Sequence, residues 1–64
     1  MSGLARLTEI KPNGSTEIVF INPDHVLTVR EVAGGTHITL SDGTTFNVKE
    51  KINLTVTAIQ GAQT

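Results

Sequence analysis

The sequence predicts a mainly β domain, a small antiparallel meander of about five strands followed by a C-terminal segment of uncertain type. Three observations carry this. Short runs rich in β-branched residues alternate with period two, as half-buried strands do. Between them lie Pro, Asn, Asp and Gly clusters of the kind that reverse a chain. A length of 64 residues leaves room for one domain, placed here at residues 1–60, with a frayed polar tail over 61–64.

Leu4 to Ile10 makes the first strand. Lys11-Pro12-Asn13-Gly14 reverses it, because Pro presets one turn residue while Asn and Gly tolerate left-handed backbone. Glu17 to Ile21 is apolar on both alternating faces, which predicts a central strand covered on both sides. Asn22-Pro23-Asp24 then forms a corner. Pro cannot donate to a ladder and keeps the preceding residue extended, and Asp is expected to close a side-chain turn.

His25 opens the next strand, Val26 to Val32, with Leu27 and Val29 expected on one face. Gly34-Gly35 supplies the positive φ angles of a tight hairpin into Thr36 to Leu40. Asp42-Gly43 turns the chain again into Thr44 to Val48, where Phe46 and Val48 share a face. The segment from Lys49 to Ile59 fits two periods. As a sixth strand, Ile52, Leu54, Val56 and Ala58 alternate with polar residues; as a helix, Ile52, Val56 and Ile59 form one stripe.

Composition excludes several functional classes. A chain this short buries a thin core, and without Cys it has neither disulfide nor thiolate zinc to reinforce it, so a homo-oligomer is expected. The formal charge is −1, with scattered Lys and Arg, which disfavours nucleic acid as a partner without excluding it. No apolar run is long enough to insert in a membrane, and the first residues lack the pattern of a signal peptide, so the expected location is the cytoplasm.

No catalytic site, cofactor or metal is expected. Asp24, His25 and His37 are the candidate metal or acid–base residues, but the hairpin geometry sets the two His near opposite ends of paired strands. They would meet only across an oligomer interface. The glycines sit in hairpin turns without a phosphate-loop context, and no Ser occupies a nucleophile elbow. Phe20 and Phe46, the only aromatics, alternate with core positions, so no stacking platform is expected.

Leu7-Thr8, Asn13-Gly14, the corner from Ile21 to Val26, the hairpin from Ile38 to Gly43, and Val48 with Glu50 occur in an order that resembles the FlbD/SwrD-type family of small flagellar proteins. The resemblance spans about residues 5 to 59. It implies a terminal helix after Glu50 and a cytoplasmic, non-catalytic accessory of swarming motility that acts by contact with an unidentified protein. Thr28 to Leu40 is also similar to the strand-turn-strand of carbon storage regulator-type RNA-binding proteins. That likeness implies RNA contacts from Arg6, Lys49 and Lys51, with Lys standing where that family uses Arg.

Overall fold

A computed structural model of the chain describes residues 3 to 62. Strands β1 (Ala5–Ile10), β2 (Thr16–Ile21), β3 (Val26–Val32), β4 (Gly35–Leu40) and β5 (Thr45–Val48) form one sheet, and helix α1 (Ile52–Ala62) follows. A short 3-10 turn, Pro23–His25, joins β2 to β3. The sheet order is β2-β1-β5-β4-β3, and every neighbouring pair is antiparallel. Strands β3, β4 and β5 form the meander; the β1–β2 hairpin joins it through β5.

This order requires the sheet to curl. Strands β2 and β3 are the two edges and, four antiparallel steps apart, run in the same direction, yet only Asn22–His25 separates them in sequence. Twist of about 20–25° between neighbours accumulates over four steps to roughly 80–100°, enough to bring the end of β2 towards the start of β3. One corner then suffices to join them. The concave side holds Leu7, Ile21, Ile38 and Val48, with Val19, Val26, Val29, Leu40 and Phe46 packed around them. Helix α1 lies against β1, β3, β4 and the 3-10 turn, and adds Ala58 to this core.

Two of the hairpins close with the same device. Gly14 N–H donates to Lys11 C=O at 2.9 Å and Lys11 N–H to Ser15 C=O at 2.8 Å; Gly43 and Leu40 repeat this at 3.0 Å, and Leu40 and Thr44 at 2.8 Å. Each is a type I turn ending in a left-handed glycine, with φ +88° at Gly14 and +92° at Gly43. Asn13 and Asp42 occupy equivalent positions and accept from the N–H of Ser15 and Thr44. The remaining hairpin turns on Ala33-Gly34, not on Gly34-Gly35: only Gly34 has positive φ, and Gly35 is the first residue of β4. Gly35 is small for another reason, since a Cβ there would lie 1.9 Å from the Val48 carbonyl oxygen.

The C-terminal segment is a helix and not a sixth strand. Its β-branched residues favour a strand locally, but Ile52, Thr55, Val56, Ile59 and Ala62 recur with helical spacing on the protected side. Thr57 bonds its hydroxyl to the Asn53 carbonyl one turn back, at 2.8 Å. The helix includes Gly61 and Ala62, which the sequence reading assigned to a frayed tail; Gln63 and Thr64 lie outside the described residues. At the corner, Asn22 closes the turn, its Oδ1 accepting from Asp24 N–H at 3.0 Å. The side chain expected to do so, that of Asp24, is exposed.

Candidate interaction surface

The segment read as a central strand is an edge. Among the described residues strand β2 pairs with β1 alone, Val19 and Ile21 facing the core while Ile18 and Phe20 face outward, 45% and 62% exposed. Phe20 is therefore exposed, where the expected strand covered on both sides would bury it; Phe46 packs on the core. Apolar residues on both faces predict double cover, and here the helix covers the concave side only.

Backbone directions on this edge follow from Thr8. Its C=O accepts from Lys49 N–H at 2.8 Å and its N–H donates to the Glu50 carboxylate at 3.0 Å, so both point away from β2. Its partner Ile18 must then point its own N–H and C=O away from β1. With period two, Thr16 and Phe20 do the same. Strand β2 thus offers open main-chain donors and acceptors flanked by Ile18 and Phe20, with Leu4 exposed near one end.

The opposite edge is protected. Strand β3 carries a bulge between Val26 and Thr28, bears Arg30 and Glu31, and has α1 against it. Bulges and charges are the usual means of preventing edge-to-edge pairing. The bulge also changes the expected faces: Val26 and Val29 both reach the core, and Leu27 is left 66% exposed.

Charge is sorted between the two sides of the sheet. Arg6, Arg30 and His37 project from the convex side, where Arg6 pairs with Phe20 and Arg30 with His37. His37 Nδ1 lies 2.7 Å from Asn47 Oδ1 on the same side. Glu9, Glu17 and Glu31 take concave-side positions, since Glu9 pairs with Val48 and Glu17, and Glu31 with Thr36. Among the described residues no strand places a carboxylate on the convex side. Lys49 and Lys51, both exposed, line a cleft of about 340 Å³ beside Gly34 and Gly35 that Glu31 also lines.

Glu50 ties the elements behind this surface together. Its carboxylate accepts from both Thr8 N–H and Thr8 Oγ1 at 3.0 Å, and its carbonyl accepts from Thr36 Oγ1 at 2.9 Å. Thr55 Oγ1 of α1 donates to Thr36 Oγ1 at 3.3 Å, and both threonines are fully buried. Burial alone would raise the Glu50 pKa, but the Thr8 and Glu50 N–H groups, the Thr8 hydroxyl and the Arg6 charge outweigh it and hold the carboxyl below its usual range. Asp42 is lowered too, first by Thr44 N–H and then by the Thr44 hydroxyl, with His25 adding its charge.

Asp24, His25 and His37 do not meet. Strands β3 and β4 pair Val26 with Leu40 at one end and Arg30 with His37 towards the other, which separates the two histidines along the hairpin. Among the described residues, no group of three or more His, Cys, Asp or Glu could hold a metal ion, and no helix is long and apolar enough to cross a membrane. Ile18, Phe20 and Glu50 are the residues that sequence reasoning missed. The doubly apolar pattern of β2 was the visible signal for Ile18 and Phe20, and the Val48 and Glu50 step of the resemblance was that for Glu50. Compared with protein-family models, with curated proteins and with solved structures, the chain matches none.

Proposed function

We propose that this chain is a small, non-catalytic, cytoplasmic interaction protein that works by contact, and that it serves flagellar and swarming motility as the family resemblance implies. One observation carries the contact: β2 is apolar on both faces yet lies at an edge, with Ile18 and Phe20 exposed. A strand of that kind binds another strand through its backbone and selects it through alternate side chains. The test is replacement of the gene by Phe20→Glu in a flagellated host, with Leu27→Glu on the protected edge as control. Swarming lost in the first variant and kept in the second, at equal protein levels, supports the proposal. Wild-type swarming in both overturns it.

The charge sorting favours a second reading, RNA binding across the convex side. Arg6 beside the exposed Phe20, with Arg30 and His37 farther along, gives cations next to one stacking surface and no strand carboxylate among them. Fluorescence anisotropy of a labelled random RNA pool, read from low to physiological salt, tests it. Binding that weakens with salt and is lost in Arg6→Glu supports this reading, and no binding at low salt removes it.

A further inference from the structure

We infer that the occupant of the β2 edge is a second copy of this chain, paired antiparallel about a two-fold axis at Val19. The inference rests on the reading of β2 as the contact strand and names its partner. The first argument is the mismatch between pattern and position. Strand β2 carries apolar residues on both faces, and β1 is its one strand neighbour among the described residues, so Ile18 and Phe20 stay exposed beside open backbone groups. Pairing with its own copy gives it a second neighbour.

Register gives the second argument. A two-fold pairing that sets the open backbone groups of Thr16, Ile18 and Phe20 against one another must centre on one of the residues from Thr16 to Phe20, and centring on Thr16 runs the pairing into the Gly14 turn. Centring on Glu17 opposes two carboxylates, and centring on Phe20 runs the pairing into Asn22 and Pro23, where the 3-10 turn begins. Centring on Ile18 sets Phe20 against Thr16. Centring on Val19 sets Phe20 of each copy against Ile18 of the other on the convex side. On the concave side it makes an unbroken row, Leu7, Val19, Val19 and Leu7. Glu17 then lies opposite Ile21 towards the ends of the paired segment, with its charge already met by Lys11 at 3.5 Å.

Area sets what such a contact must include, and charge limits it to one per chain. A specific dimer takes roughly 600 Å² from each partner, about one seventh of the 4259 Å² that the chain exposes. An edge of six residues is about 20 Å long, so the contact must cover Ile18 and Phe20 as well as the backbone. The bulged and charged β3 edge is unsuited to the same pairing, which stops growth at two copies.

Sedimentation equilibrium over a roughly thousandfold concentration range tests the association. The expected mass rises from 6.8 kDa to twice that, while Ile18→Lys stays at 6.8 kDa with an unchanged circular dichroism spectrum. The chain has no cysteine, so single substitutions report the register cleanly. Val19→Cys should cross-link under mild oxidation, because directly opposed residues of this pair type have Cα atoms about 4.5 Å apart, within disulfide range. Glu17→Cys and Ile18→Cys should not. A mass of 6.8 kDa throughout, or cross-linking through residue 17 or 18 in place of 19, overturns the inference. A monomer whose Phe20→Glu variant still abolishes swarming leaves the contact function standing with another partner, whereas a dimer that swarms normally after that substitution refutes the function alone.

Discussion

The carboxylate of Glu50 extends the β1–β5 ladder, taking the position of a strand carbonyl 3.0 Å from the N–H of Thr8, a residue 42 positions earlier. Past Val48 the chain leaves the sheet to start α1, so Thr8 N–H would otherwise lose its partner. Hydrogen bonds to a charged group contribute about 1.5–3 kcal/mol each when partly shielded. Glu50→Ala is therefore expected to lower unfolding stability by about 2 kcal/mol, and Glu50→Gln, which keeps one acceptor, by about half that. Urea titration of both variants checks the order; equal losses would mean that the charge contributes nothing.

The same carboxyl makes stability depend on acid. Its folded pKa lies below the unfolded value, so its contribution is complete above about pH 5 and is lost as pH falls through the folded pKa. Asp42 acts in the same direction. Denaturation midpoints are expected to stay level from neutral pH to about pH 5 and then fall, with a shallower fall in Glu50→Gln. Parallel curves for wild type and variant would remove Glu50 from the acid transition.

Gly35→Ala forces a Cβ to within 1.9 Å of the Val48 carbonyl oxygen, a backbone atom that cannot move without breaking the β4–β5 pairing. The expected loss is about 3 kcal/mol or more. Gly34→Ala meets open space and only the left-handed backbone penalty, about 1–2 kcal/mol. Thermal unfolding of the pair should rank them in that order, and the reverse ranking would contradict the close approach.

At the corner, Asn22→Ala should cost about 1 kcal/mol through the lost side-chain bond to Asp24 N–H. Asp24→Ala should stay within about 0.5 kcal/mol of wild type. A larger loss from Asp24 than from Asn22 would return the turn to the aspartate.

What was legible in the sequence was local chemistry. Pro12-Asn13-Gly14 and Asp42-Gly43 specify their turns through residues only two or three apart, and the alternation of Ile38, Leu40, Phe46 and Val48 shows their shared face directly. What stayed hidden depends on partners distant in the chain. No local pattern reveals that β1 pairs with β5, which makes β2 an edge, or that the protected side of α1 outweighs its β-branched residues. The bulge at Val26/Thr28 moves Leu27 out of the core without any glycine or proline to mark it. Glu50 reads as a surface charge until its threonine partners are brought to it from β1 and β4.

The pairing of Ile10 with Asn47 also sets an order of assembly during synthesis. Strands β1 and β2 leave the ribosome first, yet β1 finds its second neighbour only when β5 and Glu50 have followed. That interval ends only when residues 45–50 are free to pair. Throughout it the β1–β2 hairpin is open along both sides, and afterwards along one. The side that stays open is β2, so the sheet is completed around β1 and never around its outer neighbour.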